Sequence, residues 1–433
     1  NVFGAMTMTT GISAVESEAA GADGLDDKQG CDAVEGHTTE AFRRVEFAKF
    51  QNSYLAAFFL GASADWLKGP YIYRLYEARG FAKSEITLLF TAGYMSSAFF
   101  GLLAGMLSDA LGRRRMCLLF CALYAVHGLL HVFETFAVLC LARIVSGVAT
   151  ALLFSSFEAW MVAEHHRRFA DMDLSETFGM QTQGNALLAM GCGFLAQGSV
   201  FIGGYVAPMV VSMPLLASCA YIVKRWPENK GSGRTSVINV LPKALAGMNL
   251  VVARIGAMQC LFEGAMHIFV FLWTPCLQRG GTTVPHGFIF AGFMACMMLG
   301  GMVYRSASPH RPNLGVVFFI GAVSLLLSCC TESFHVNLAA FCSFEFCVGC
   351  YFPQIALLRS AHLQEETRNA TITLIRVPLN FIVVGTLYWG RSWAPETTLL
   401  AAALALAVGG AIFYSLPKDV TAAALCAKAK KTA

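Results

Sequence analysis

Asp65 and Lys68 carry opposite charges three residues apart, just where the first long apolar run of the chain, Tyr54 to Ala64, gives way. A charge held near the middle of a bilayer costs about 2.5–3.5 kcal/mol, so such residues line a protein interior or a wet cavity. Three-residue spacing puts both on one helix face, where they could neutralise each other. Gly69 and Pro70 follow at once and predict a weakened or kinked helix. A broken helix bearing paired charges suits a substrate or gating site, and the same spacing also suits a structural ion pair at a helix end. Glu263 and His267, four residues apart, form a second candidate pair, one sensitive to protons.

The elements that must hold these residues are apolar. Of 433 residues, 56% are hydrophobic and 13% charged, against about 25% charged in a soluble domain. Apolar runs of about 20 residues recur from residue 50 to residue 416, which predicts an all-α membrane protein. About twelve spans are expected, at 50–73, 85–108, 115–133, 136–161, 179–200, 203–223, 251–277, 287–305, 313–331, 335–358, 370–390 and 396–416. They divide into an N-terminal six-helix bundle over 50–223 and a C-terminal one over 251–416. A polar central loop, 224–250, joins them. Residues 1–49 lack apolar periodicity and read as a disordered tail; 417–433 read as a basic one. The chain begins at Asn1, so an upstream signal or span stays open; no cleavable signal peptide is visible.

Most of the 31 Lys and Arg lie in the tails and the even-to-odd loops; the opposite side holds Arg74, Arg79, Lys83, Arg279 and Arg391. The positive-inside rule then places both termini in the cytoplasm. Nothing reads as an organelle address, so the plasma membrane is the default expectation. The net charge of +4 is spread over short loops and is no nucleic-acid signal. The 15 cysteines are scattered, mostly within apolar runs, and show no metal or disulfide spacing. No metal site, cofactor or enzyme motif is read. The aromatics Phe154, Phe157, Phe262, Phe269, Phe271, Phe344 and Phe346 read as packing or lipid-facing, and Pro70, Pro275, Pro353 and Pro378 as kinks. The run His165-His166-Arg167-Arg168 reads as a solvated basic patch in a loop.

The loop between spans two and three reads Gly105-Met-Leu-Ser-Asp109-Ala-Leu-Gly112-Arg113-Arg114-Arg115. Its glycines allow close helix approach and a tight turn. It resembles the signature loop of the major facilitator superfamily, G-x-x-x-D-R/K-x-G-R-R/K, with Gly105, Asp109, Gly112, Arg113 and Arg114 in register. Ala110 departs from the basic residue usual there. The resemblance implies a gating latch. Arg143-Ile-Val-Ser-Gly147 is similar to the superfamily's R-x-x-x-G motif, whose arginine is tied to proton coupling. Longer phrases are more specific: Ala64 to Tyr73, Leu152 to Trp160, Leu261 to Gly264, Phe269 to Pro275, Tyr351 to Pro353 and Arg376 to Pro378. In order and wording they resemble the molybdate-anion transporter branch, over nearly all of 50–416.

That resemblance implies the major facilitator fold, alternating access and molybdate as substrate; the lipid bilayer as surroundings and a monomer are expected besides. It also implies that spans one, four, seven and ten face a central cavity. Lys68, Arg143 and Arg376 are then the anion ligands, with Tyr71, Trp273 and Asn380 as neutral donors; Arg presents the fork that two oxyanion oxygens need. Asp65, Glu158, Glu263, His267 and Glu345 are expected to form a proton-coupling or charge network, because ionised acids would repel the anion. Two alternatives stay open: a proton-coupled carrier of another small solute or a cation, and a membrane sensor that transports nothing.

Overall fold

The computed structural model describes residues 29–230, 242–243, 245–279, 284–307, 313–364 and 368–417. The first expected span is two helices, α1 (Gln29–Trp66) and α2 (Ile72–Ala78). Next come α3 (Lys83–Leu111), α4 (Arg113–Leu130), α5 (Phe136–Arg168), α6 (Leu174–Gly203) and α7 (Ala207–Lys224). The second half is α8 (Leu250–Leu277), α9 (His286–Ser306), α10 (Leu314–Cys329), α11 (Phe334–His362), α12 (Arg368–Trp389) and α13 (Pro395–Tyr414). Each of the twelve expected spans has its helix. By length and composition alone, 7 of them could cross a membrane, or 8 when the bent pair Lys83–Gly101 and Leu103–Leu111 is included.

The tail expected to be disordered through residue 49 is corrected from Gln29 onward, because α1 begins there; residues 1–28 lie outside the described residues. The described residues up to Asn52 belong to a unit of their own, and everything below lies in the unit that starts at Ser53. Most of the central loop (231–241) and of the basic tail (418–433) is likewise outside the described residues. The break between α1 and α2 has a local cause. Pro70 offers no N–H, and the residue before a proline avoids the helical region. The chain turns instead, with the Lys68 N–H on the Asp65 carbonyl (3.3 Å) and the Tyr71 N–H on the Lys68 carbonyl (3.1 Å).

In the first half α5 packs on α3 and α4, and α4 on α7; in the second, α11 packs on α9 and α10, and α13 on α8 and α10. Helix association within lipid depends on close packing and small residues. A Cβ on Gly147 would stand 2.5 Å from the Gly93 carbonyl oxygen, so α3 and α5 cross backbone to backbone. The second half repeats the crossing between α9 and α11, where a Cβ on Gly349 would strike the Met297 carbonyl and one on Gly300 the Phe346 carbonyl. Gly105, expected to allow such an approach, has nothing within 4 Å of its Cβ position. The halves meet through α6 on α9 and α3 on α12.

Candidate functional site

A cavity of about 310 Å³ lies between the halves, lined by Asp65, Tyr94, Arg143, Thr150, His267 and Trp273 among others. Its Arg143 comes from the second turn of α5. The guanidinium lies along α3 because Gly93 has no side chain; a Cβ there would be 2.9 Å from Nη2. Arg143 donates through Nε to the Leu89 carbonyl at a long 3.4 Å and sits 4.7 Å from the centre of the Phe90 ring. Asp65 accepts a hydrogen bond from the Tyr124 hydroxyl, which also meets Thr150 Oγ1 at 3.1 Å. Lys68 is 5% exposed. Its ammonium stands 3.2 Å over the Tyr124 ring and has no hydrogen-bond partner among the described residues.

These contacts correct the expected Asp65–Lys68 pair. The helix ends one residue after Asp65, so the shared face is lost, and Tyr124 stands between the two charges. Glu263 and His267 do not pair through their side chains either. His267 Nδ1 bonds the Glu263 backbone carbonyl at 2.6 Å, while the Glu263 carboxylate meets the Tyr351 hydroxyl at 3.5 Å.

The two ends of the bundle differ, and each contains a glycine turn with positive φ, Gly80 (82°) at one and Gly112 (108°) at the other. Near the Gly80 end the halves are sealed. The Tyr71 hydroxyl donates to Gln197 Oε1 at 2.6 Å, and the Gly287 N–H donates to the same oxygen at 3.1 Å. A Cβ on Gly193 would stand 2.7 Å from the Gly287 carbonyl oxygen, so α6 and α9 touch there. Tyr73 packs edge-on against Phe271 (5.5 Å), and Lys83 donates to the Trp393 carbonyl. Toward the Gly112 end a larger cavity, about 630 Å³, separates α6 from α9 between Thr182, Asn185, Met302 and Arg305.

At the Gly112 end a cluster of ion pairs and hydrogen bonds is built within the first half. Arg113 pairs with Asp109 at 2.8 Å. Glu228 accepts from the Arg114 N–H at 3.0 Å, and a Cβ on Gly112 would stand 2.7 Å from its carboxylate. Asn229 donates to Glu164 (3.1 Å), and Trp226 stacks on Trp160 at 3.9 Å. The basic run expected in a loop is the last turn of α5 instead. There His165 is buried and Arg167 pairs with Glu164 at 2.6 Å.

A family model of the major facilitator type, described as sugar transporters with 12 transmembrane segments, matches residues 30–350. The molybdate-anion transporter of Xenopus tropicalis is 32% identical over 370 residues, 81% of either chain. Those of Takifugu rubripes and Danio rerio are also 32% identical, over 78% and 80% of either chain. The chain belongs to the major facilitator superfamily, in the branch of these relatives. Solved structures agree on the fold. The nucleoside transporter NupG superposes with a TM-score of 0.64 at 12% identity, over 85% of this chain and 99% of that one. A POT family transporter gives 0.64 at 12% identity, over 86% and 97%.

Within this superfamily fold the expected site residues separate into groups. Asp65, Arg143, His267 and Trp273 share the smaller cavity, and Lys68 lies behind its wall. Tyr71 belongs to the seal. Arg376 is exposed and interacts electrostatically with Glu158 and Glu263; Asn380 is half-buried a turn away on α12. Glu345 is 4% exposed on α11. Sequence reasoning missed Tyr124, Gln197 and Glu228. A polar residue inside an apolar run was the available signal for the first two. For Glu228 it was its place two residues after Trp226 at the end of α7.

Proposed function

We propose that this chain carries molybdate across the membrane by alternating access, with Arg143 as the principal anion ligand in the 310 Å³ cavity. The observation that supports this most is the state of Arg143, which faces the cavity with one long backbone bond among the described residues. Its planar fork suits two oxygens of a tetrahedral dianion. The cavity is at the small end of ligand sites, about 300–1,000 Å³. Of the four acids expected to oppose an anion, Asp65 lines this cavity; Glu158, Glu263 and Glu345 lie elsewhere among the described residues. The names of the relatives, at 32% identity, point to the same substrate.

By the positive-inside rule we assign the Gly112 end, with its basic residues, to the cytoplasm. The conformation described is then open inward, and we assign import across the plasma membrane as the direction of net transport. One chain suffices, since Asp65 and Arg143 come from the first half and His267 and Trp273 from the second. Asp65 and His267 are the groups we assign to proton coupling. A second reading, a sugar carrier, is favoured by the description of the family model and by Tyr73, Tyr94 and Trp273 in the lining. Purified protein in liposomes separates the two. We expect molybdate uptake that excess tungstate blocks and excess glucose leaves alone. Glucose uptake without molybdate uptake would overturn the anion reading.

A further inference from the structure

Tyr124 lies on α4, outside the helices that the superfamily resemblance assigns to the cavity, yet it touches both charges of the first span. Its hydroxyl has one proton, and that proton goes to Asp65. The contact with Thr150, 3.1 Å away, is therefore a bond that the threonine donates. The ring of the same tyrosine lies under the Lys68 ammonium at 3.2 Å. Lys68 is 95% enclosed yet has no hydrogen-bond acceptor among the described residues. Arg143 has one long bond to a backbone carbonyl. Among the described residues neither cation makes an ion pair with Asp65, although the Asp65 charge acts on Lys68, in surroundings where opposite charges attract far more strongly than in water.

We infer that Tyr124 is a positioning residue that holds Asp65 off Lys68 and Arg143, and so keeps the cavity positive for a tetrahedral oxyanion. The inference rests on the anion reading of the site. Without the hydroxyl, Asp65 loses its donor and turns to the nearest cation. The ring of a phenylalanine would still cover Lys68, so Tyr124→Phe removes the restraint, together with the bond from Thr150, and keeps the aromatic face.

The test is equilibrium dialysis of radiolabelled molybdate against the purified full chain, which requires no turnover. Tyr124→Phe should weaken binding about tenfold, one unpaired cation lost being worth roughly 1.4 kcal/mol. Asp65→Asn should bind at least as tightly as the wild type. The double variant should behave like Asp65→Asn, since no carboxylate is left to restrain. A tyrosine that merely supports the fold predicts the opposite, a double variant no better than Tyr124→Phe. That result, or Tyr124→Phe within twofold of the wild type, overturns the inference. If the wild type binds no molybdate, the substrate reading fails by itself. The restraint is then read from infrared difference spectra without any anion. A carboxylate band that shifts in Tyr124→Phe and is absent from Asp65→Asn supports it, and no shift overturns it.

Discussion

Arg143 depends on a neighbour with no side chain. The Cβ missing from Gly93 is the space that the guanidinium fills, 2.9 Å from Nη2. Gly93→Ala should therefore displace the fork and cut molybdate uptake about tenfold, with surface expression unchanged. Arg143→Lys should fail to a similar extent, because an ammonium is a point charge and cannot bind two oxygens in a plane. Uptake in either variant close to the wild type, normalised to surface protein, would count against the placement of the anion. Asp65, Lys68 and Arg143 were legible in the sequence because a charge within an apolar run is costly and needs a reason. Their geometry was not. Helix periodicity pairs Asp65 with Lys68, but Gly69-Pro70 ends the helix between them, and Tyr124, which separates them, reads in sequence like any core aromatic.

Among the elements, α6 and α9 act as one seal near Gly80. Gln197 receives two hydrogen bonds there, from Tyr71 and from the Gly287 backbone. A net hydrogen bond contributes about 1 kcal/mol, which is roughly fivefold in a two-state ratio. Gln197→Leu should shift the population toward opening at that end by several-fold. Hydrogen–deuterium exchange of residues 193–200 and 284–291 should quicken accordingly; unchanged exchange would show that the bonds do not hold the seal. Gly112 makes the turn at the other end with φ of 108°, against the Glu228 carboxylate. Gly112→Ala meets both backbone strain and a clash, so it should cost about 1–3 kcal/mol and lower the melting temperature of the purified protein by several degrees. The Asp109–Arg113 pair at this end was readable from its loop motif. Glu228 was not, because it is more than a hundred residues away in sequence and reaches Arg114 only through packing. Gly105 shows the converse: a glycine in the motif that no helix approaches.

For the molecule as a whole, two halves with the same glycine crossing, α3 on α5 and α9 on α11, enclose a cavity sealed toward Gly80. Hydropathy alone made the twelve spans and the two bundles legible, since each span must be apolar for its length in a bilayer. It could not show which side is closed, because that depends on contacts between halves. The orientation we propose predicts that epitope tags on either terminus of surface-expressed protein stain only after permeabilisation; staining of intact cells would overturn that orientation. The central claim is that Arg143 carries an oxyanion. Molybdenum accumulation at nanomolar external molybdate, in cells without their own uptake, tests it most directly, comparing wild type with Arg143→Gln at matched surface expression. We predict accumulation by the wild type and its loss, by at least tenfold, in Arg143→Gln. Equal accumulation by the two, or none by a well-expressed wild type, would contradict the account.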